Sequence, residues 1–177
     1  MKRYKTHKPT GVVFIGMAGV GKSTVGKALA QILDFDFVDG DEYIMGKEGR
    51  TIREIIDQEG ETAFLEIEKK KMMELELDRK VISPGGSIIY HSDLMAYLGA
   101  HAVLIYLDDS FENIEARLAK VLPRGIVGMK NKTLKQIYKE RRPLYLRYAN
   151  ITVRCSDKSP EQIVQEILRQ FYDEETI

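Results

Sequence analysis

A glycine-rich segment near the amino terminus constrains this 177-residue chain more than any other feature of its sequence. Residues 16–23 read Gly-Met-Ala-Gly-Val-Gly-Lys-Ser and match the pattern G-x-x-x-x-G-K-[ST]. The segment follows an apolar run at residues 12–15 and opens a stretch with helical spacing. A strand, a glycine turn and a helix in this order present backbone N–H groups and a helix N-terminus to phosphate groups. The sequence therefore predicts a nucleotide-binding α/β domain.

Each position of this loop has a chemical reason. The glycines let the backbone turn its N–H groups toward phosphate oxygens. Lys22 is expected to reach the β- and γ-phosphates as a catalytic cation, and the Ser23 hydroxyl is expected to ligate Mg²⁺. We predict ATP and Mg²⁺ as the bound cofactors, with nucleotide contacts from Gly19, Val20, Gly21, Lys22, Ser23 and Thr24.

Short apolar runs alternate with longer segments of helical spacing along the whole chain. The runs, typical of strands buried on both faces, are residues 12–15, 35–38, 81–83, 103–107 and 151–153. The helical segments cover about residues 21–33, 51–79, 111–120 and 132–149, and a last one begins at Ser159. This alternation predicts a parallel sheet covered by helices on both sides, with ligands at the carboxyl ends of the strands. No linker divides the chain, so we expect one domain over residues 1–177.

Composition limits the classes of partner. The 27 Lys and Arg residues balance 27 Asp and Glu residues, so no net field attracts nucleic acid or an anionic membrane. No apolar stretch reaches the about 18 residues that a membrane span requires. The single cysteine, Cys155, excludes an internal disulfide framework and is typical of a reducing compartment. We expect a cytoplasmic monomer with a small-molecule substrate, and no nucleic acid or membrane partner.

Two carboxylates follow the second apolar run. Phosphoryl transfer requires a cation held by carboxylate oxygens and a group that orients and deprotonates the attacking hydroxyl. Asp39 and Asp41, two positions apart, can share one face of a strand end and serve both needs. Taken alone, such a pair is more often a solvated strand end, and it gains functional meaning only from the phosphate loop.

These features, with three further motifs, resemble the shikimate kinase family. The further motifs are Gly60-Glu61-x-x-Phe64 with Glu68, Ser83-Pro84-Gly85-Gly86, and Arg141-Arg142-Pro143-Leu144-Tyr145. The resemblance covers roughly residues 11–172 and implies a five-stranded parallel sheet, in a P-loop NTPase of the nucleoside monophosphate kinase type. It also implies a lid over roughly residues 118–131 and ATP-dependent phosphorylation of shikimate to shikimate 3-phosphate, a step of aromatic amino acid biosynthesis.

On the acceptor side, the resemblance assigns four residues. It implies that Asp41 holds and activates the substrate hydroxyl, and that Gly85 and Gly86 contact the substrate through the backbone. Arg141 is implied to pair with the substrate carboxylate, for which its planar donor fork is suited. Without the resemblance, Arg141 would be interpreted as an ordinary surface or helix-end arginine.

On the ATP side, the resemblance implies that Asp39 and Ser23 hold Mg²⁺. Arg124, on the lid, falls where the family has a catalytic arginine that lies against the transferring phosphate. Arg117 and Pro160 are implied to lie on opposite sides of the adenine. Arg117, like Arg141, would otherwise be interpreted as a surface arginine.

Three departures from the family pattern all lie on the acceptor or lid side. Leu65 replaces an arginine expected on the substrate carboxylate, Ser87 replaces a glycine, and residues 124–127 read Arg-Gly-Ile-Val instead of Arg-Pro-Leu-Leu. Losing one charge-assisted partner would weaken carboxylate binding by about 1.5–3 kcal/mol. Glu68 is expected to lose its arginine partner as well. The basic residues considered as sources of the missing charge are Arg53, Lys69 and Arg142.

The departures keep two alternatives open. One is a kinase that phosphorylates a different small polyol or acid. The other is a nucleotide-binding regulatory protein whose acceptor site has lapsed.

Overall fold

The structure, a computed structural model, describes residues 9–120 and 125–172, which form alternating strands and helices. The strands are β1 (Val12–Ile15), β2 (Asp36–Asp39), β3 (Lys80–Ser83), β4 (Val103–Asp108) and β5 (Ile151–Arg154). The helices are α1 (Lys22–Leu33), α2 (Gly40–Glu48), α3 (Ile52–Met73), α4 (Ser92–His101), α5 (Phe111–Leu118), α6 (Leu134–Tyr148) and α7 (Pro160–Phe171), with a short 3₁₀ turn at Ile88–Tyr90.

The five strands form a parallel sheet in the order β2-β3-β1-β4-β5. β1 lies at the centre, where Val12 is in register with Val81 of β3 and with Val103 of β4. Because the strands are parallel, their carboxyl ends meet at one edge of the sheet. The connection after β1 runs to β2 on one side of β1, whereas the connection after β3 runs to β4 on the other side. Ligands of open α/β sheets bind at such a point. The predicted five-stranded parallel sheet is confirmed.

The core consists of two apolar layers, one on each face of the sheet. Along β1 the side chains of Val13 and Ile15 join one layer, and those of Val12 and Phe14 join the other. All four are at most 1% exposed, which explains why the strand is continuously apolar. α1 and α7 cover one face, whereas α2, α3, α4 and α6 contribute to the other. Among the helices of the described residues, none is long and apolar enough to cross a membrane.

Two helices were not predicted, and one was predicted too long. α2 buries only Gly40 and Ile44, so its sequence lacks the apolar stripe that would have indicated a helix. α4 is also absent from the prediction. The segment expected to be helical over residues 51–79 ends at Met73 and bends at Gly60, where the backbone adopts φ 89° and ψ 166°. The remaining residues form the turn into β3, with Arg79 at φ 52°.

Candidate active site

A cleft of about 1210 Å³ lies at the carboxyl ends of the strands. Nearly all the residues singled out from the sequence line this cleft: Gly19, Val20, Gly21, Lys22, Ser23, Thr24, Asp39, Asp41, Gly85, Gly86, Arg117, Arg141 and Pro160. Arg124 falls outside the described residues. The sequence therefore identified residues that the fold does bring together, although they come from six separate segments of the chain.

The phosphate loop wraps around the side chain of Lys22. Its Nζ donates hydrogen bonds to the carbonyl oxygens of Gly16, at 2.9 Å, and Met17, at 3.1 Å. Gly16 must be glycine, because φ is 144° and a Cβ would lie 2.9 Å from the Leu107 carbonyl oxygen. Gly21 caps α1 without a side chain. No capping side chain therefore competes with a phosphate for the N–H groups of the first turn.

The pKa of Lys22 is lowered to about 8, mainly by desolvation in the loop and to a smaller extent by the nearby charge of Arg141. The carboxylates of Asp41, Asp39 and Glu68 act in the opposite direction. Bound phosphate groups would add negative charge next to the ammonium and raise this pKa again. The loop is thus electrostatically suited to an anion.

Asp39 and Ser23 form a pair of oxygen atoms at the end of the loop. The Ser23 hydroxyl donates to Oδ2 of Asp39 at 2.7 Å. Oδ1 of Asp39 accepts from the backbone N–H groups of Asp41, at 3.1 Å, and Glu42, at 3.3 Å. Asp39 is therefore the N-cap of α2, which fixes its carboxylate beside the loop.

The expectation that Asp39 and Asp41 share a strand face is wrong. Asp39 ends β2, whereas Asp41 lies in the first turn of α2. The chain changes direction at Gly40, where a Cβ would lie 2.7 Å from the Pro84 Cα. The helical turn separates the two carboxylates and brings Asp41 close to Gly85. A Cβ on Gly85 would lie 3.1 Å from Oδ1 of Asp41.

The Gly85-Gly86 segment is glycine because polar side chains approach its backbone closely. A Cβ on Gly85 would lie 2.5 Å from Oε1 of Glu68. A Cβ on Gly86 would lie 2.9 Å from the Tyr145 hydroxyl and 3.0 Å from Nη1 of Arg141. The Tyr145 hydroxyl also donates to the Gly86 carbonyl oxygen at 2.7 Å. Side chains from α3 and α6 thus converge on one short loop.

Arg141 is a buried arginine and not a surface one. Only 1% of the residue is exposed. Its Nη2 donates to the Val127 carbonyl oxygen at 2.8 Å, and its Nε donates to the Tyr90 hydroxyl at 3.1 Å. Within the described residues, its guanidinium forms no ion pair with a carboxylate. A buried cation without a counterion is suited to an anionic group of a ligand.

Glu68 is a site residue whose partner the sequence did not predict. It is fully buried, and its Oε2 accepts a hydrogen bond from the Ser87 hydroxyl at 2.7 Å. In this chain Ser87 is therefore the hydrogen-bond partner of Glu68. In the family pattern the partner would be the arginine that Leu65 replaces. Burial raises the pKa of Glu68 to about 8, although the Ser87 hydrogen bond opposes that shift. The joint departure at Leu65 and Ser87 was the sequence signal that could have indicated this contact.

The three basic residues considered as replacements for the missing arginine have different places in the fold. Lys69 forms an ion pair with Asp93 at 2.5 Å. Arg142 binds both carboxylate oxygens of Asp108, at 3.1 and 2.8 Å. Neither lines the cleft, whereas Arg53 does.

Arg117 lies between the phosphate loop and a buried acidic group. Its Nη2 is 2.8 Å from Oδ2 of Asp109, and its Nη1 is 3.5 Å from the carbonyl oxygens of Gly19 and Val20. Asp109 in turn accepts a hydrogen bond from the Ser156 hydroxyl at 2.8 Å. The sequence did not identify Asp109 as the residue that holds this arginine.

The segment after the undescribed residues 121–124 is attached to the walls of the cleft. The backbone N–H of Gly128 donates to Oε1 of Glu61 on α3 at 2.8 Å. The Val127 carbonyl oxygen accepts from Arg141 on α6. Contacts between the acceptor side of the cleft and this segment are therefore direct.

Comparisons with known proteins agree on one family. A family model described as shikimate kinase matches residues 18–172. The chain is 36% identical to the shikimate kinase of Sulfurihydrogenibium sp. (strain YO3AOP1) over 158 residues, 89% of this chain and 95% of that relative. It is 37% identical to the shikimate kinase of Rippkaea orientalis (strain PCC 8801 / RF-1) over 171 residues, 95% of this chain and 91% of the relative.

Solved structures give the same result. The shikimate kinase from Acinetobacter baumannii in complex with shikimate superposes with a TM-score of 0.81 at 27% identity, covering 94% of each chain. The shikimate kinase from Aquifex aeolicus has a TM-score of 0.78 at 31% identity, covering 90% of this chain and 94% of the other. A gluconokinase from Sinorhizobium meliloti, at 17% identity and a TM-score of 0.54, covers 93% of each chain and shares the fold alone.

Proposed function

This chain belongs to the shikimate kinase family, and from that premise we propose that it transfers the γ-phosphate of ATP to shikimate, giving shikimate 3-phosphate and ADP. The observation that carries the proposal is that one cleft contains both a complete phosphate loop and Asp41, Gly86 and Arg141. Phosphoryl transfer depends mainly on positioning and charge stabilisation, and this cleft supplies groups for both.

ATP is the phosphate donor in this family. In the proposed complex, backbone N–H groups of the loop and of the first turn of α1 bind the phosphates. The Lys22 ammonium leaves its carbonyl partners for the β- and γ-phosphates, where its charge stabilises the transferring group. Arg117 and Pro160, which both line the cleft, are the proposed contacts on opposite sides of the adenine.

Ser23 and Asp39 suit a magnesium ion. Their hydroxyl and carboxylate oxygens lie 2.7 Å apart beside the phosphate loop, and oxygen ligands of this kind are what Mg²⁺ prefers. Mg²⁺, when bound, would neutralise charge on the phosphates. The cap hydrogen bonds from α2 would keep the Asp39 carboxylate in place during turnover.

Asp41 and Arg141 are the proposed acceptor residues. Asp41 orients the attacking hydroxyl and accepts its proton as the oxygen bonds to the γ-phosphorus. Arg141 binds the shikimate carboxylate, and the backbone at Gly85 and Gly86 contacts the ring substituents. Arg124 closes over the phosphates from the lid. A closed lid excludes water, which would otherwise compete with the acceptor hydroxyl.

Arg53 is the proposed second cation of the acceptor side. Its side chain is 70% exposed and forms a 3.6 Å ion pair with Asp57. A Cβ on Gly125 would lie 3.5 Å from its Cα, so it stands where the lid segment meets the cleft. An exposed, solvated arginine replaces a buried one only in part. We therefore expect Arg141 and Arg53 together to bind the shikimate carboxylate more weakly than two buried arginines would.

The test is ADP release from ATP and Mg²⁺ with shikimate and with a panel of other small hydroxylated acids and polyols. We expect shikimate to give the highest kcat/KM. A different acceptor, which the leucine at position 65 favours as the second candidate, would be indicated by a compound that exceeds shikimate. ATP binding with no acceptor-dependent ADP release would support the regulatory alternative and overturn the proposal.

A further inference from the structure

Only one of the two carboxyl oxygens of Glu68, in the cleft, has a hydrogen-bond partner within the described residues. Glu68 on α3 is fully buried and lines the cleft, and its Oε2 is occupied by the Ser87 hydroxyl. Its Oε1 has no hydrogen-bond partner within the described part of the chain. Removing a carboxyl oxygen from water without a replacement hydrogen bond is costly, and native proteins rarely leave one so. A ligand group in the cleft is the partner that this oxygen lacks.

The unpartnered oxygen lies on the acceptor side, next to the proposed proton acceptor. A Cβ on Gly85 would be 2.5 Å from Oε1 of Glu68 and 3.1 Å from Oδ1 of Asp41. The two carboxyl oxygens thus approach the same position beside the Gly85 Cα. They are close enough to contact neighbouring substituents of one small molecule.

Neighbouring residues determine what this oxygen can bind. Leu65, one turn before Glu68 on α3, supplies no cation and packs against the apolar core. Ser87, which is only 4% exposed, holds the other oxygen and so fixes the orientation of the carboxyl group. Without an adjacent arginine, Oε1 is left available for a ligand.

We propose that Oε1 of Glu68 hydrogen-bonds a hydroxyl group of the acceptor that does not receive phosphate, and that Ser87 positions the carboxyl group for this contact. The inference rests on the proposed function, because it concerns the same acceptor site. A hydroxyl both donates and accepts, so it satisfies Oε1 whether Glu68 is ionised or protonated. A ligand carboxylate would be repelled by the ionised form. This chain therefore recognises its acceptor more by hydroxyl pattern and less by charge.

The test is steady-state kinetics with shikimate and with the two analogues that each lack one non-reacting hydroxyl. Glu68→Met removes both oxygens at similar volume, and Glu68→Gln keeps hydrogen-bonding capacity. We expect Glu68→Met to raise the KM for shikimate about tenfold or more, with a smaller change in kcat, and Glu68→Gln to have a weaker effect. For one analogue, wild type and Glu68→Met should have equal KM values, because the hydroxyl that Glu68 binds is already absent.

Glu66→Met is the matched control, because Glu66 is an exposed glutamate on the same helix. It should leave all three KM values unchanged. Ser87→Ala should raise the KM for shikimate and, like Glu68→Met, have no effect with the same single analogue. If Glu68→Met does not fold, Glu68→Gln and Ser87→Ala give the same comparison.

Two results would overturn the inference. A KM that rises by the same factor for all three acceptors would mean that Glu68 acts only on the shape of the site. Unchanged KM values would mean that no acceptor group contacts it. Wild type without any turnover of shikimate would overturn the proposed function and this inference together, whereas normal wild-type turnover isolates the inference.

Discussion

Two residues that line the cleft, the half-buried Lys22 and the fully buried Glu68, have pKa values far from their ordinary ranges. Desolvation lowers the pKa of Lys22 to about 8 and raises the pKa of Glu68 to about 8. In both, burial disfavours the charged form. Stability should therefore change with pH between 4.5 and 8 through Glu68, and phosphate binding should change above about pH 8 through Lys22.

The first prediction concerns Glu68 and stability. In the unfolded chain its carboxyl group titrates near 4.5, and in the folded protein near 8, so the folded state binds more protons between these values. The free energy of unfolding of the wild type should therefore fall as pH rises from 4.5 to 8. Glu68→Gln lacks this loss and should gain stability over the wild type by on the order of a few kcal/mol across that range.

Denaturant unfolding at several pH values measures this difference. Glu66→Gln, at the exposed position on the same helix, should follow the wild type at every pH. If the free energies of unfolding of wild type and Glu68→Gln changed with pH in parallel, the account would be contradicted. That result would mean that Glu68 has the same pKa in the folded and unfolded states.

The second prediction concerns Lys22 and ATP. The ammonium form binds phosphate, so the affinity for a non-hydrolysable ATP analogue should fall as pH rises above about 8. The phosphates themselves are ionised by then, because their last pKa is about 6. Lys22→Met should bind weakly and show no such pH step. An affinity independent of pH between 7 and 9.5 (about one unit or more either side of the Lys22 pKa) would contradict this charge state.

Among the elements, α3 carries the acceptor side of the site and depends on a bend. Its first part begins at the Thr51 capping box, and its second part carries Phe64 and Glu68 into the core. Gly60 joins them with φ 89°, a conformation that side chains with a Cβ rarely adopt. The orientation of Glu68 therefore depends on a glycine two turns away.

The third prediction is a matched pair of glycine substitutions. A Cβ meets no atom within 4 Å at either Gly60 or Gly46, so only backbone conformation distinguishes them. Gly60→Ala should lower the free energy of unfolding by about 1 kcal/mol or more, because it forces alanine into positive φ. Gly46→Ala, within α2, should raise it by about 0.5–1 kcal/mol. Thermal or denaturant unfolding measures the free energy of unfolding of both variants. Equal effects of the two substitutions would contradict the positive φ at Gly60.

The strands were predictable from the sequence, and parts of the helices were not. β1 and β4 are continuous apolar runs because both their faces are buried, and that pattern is visible without a structure. α2 was missed because it buries only Gly40 and Ile44 and carries Asp41 to the cleft, so its sequence has no apolar stripe. The phosphate loop was predictable because its chemistry is local. The Glu68 to Ser87 hydrogen bond joins residues 19 positions apart and depends on how α3 packs, which the sequence does not encode locally.

For the whole molecule, the cleft connects the acceptor side with the lid segment. Arg141 contacts both the Gly86 region and the Val127 carbonyl oxygen, and Glu61 binds the Gly128 N–H. Filling the acceptor site can therefore favour one position of the segment that follows Arg124. The lid over roughly residues 118–131, the single domain over residues 1–177 and the monomeric state stay predictions.

The fourth prediction assigns the lid arginine a role in transfer and not in ATP binding. Arg124→Ala should lower kcat by about 10²- to 10³-fold, because it removes a charge that stabilises the transferring phosphate. The affinity for ATP should change much less. Lys120→Ala, at an exposed lysine within the predicted lid, is the control and should keep the wild-type kcat. A weaker ATP affinity with unchanged kcat would contradict this role.

The central claim is that one cleft transfers phosphate from ATP to shikimate through Asp41. The most direct measurement is shikimate-dependent ADP release by wild type and by Asp41→Asn, with ATP binding measured in both. The account predicts turnover in the wild type and a kcat lower by about 10²- to 10⁴-fold in Asp41→Asn, with ATP affinity retained. Equal rates in the two proteins, or no shikimate-dependent ADP release in the wild type, would contradict it.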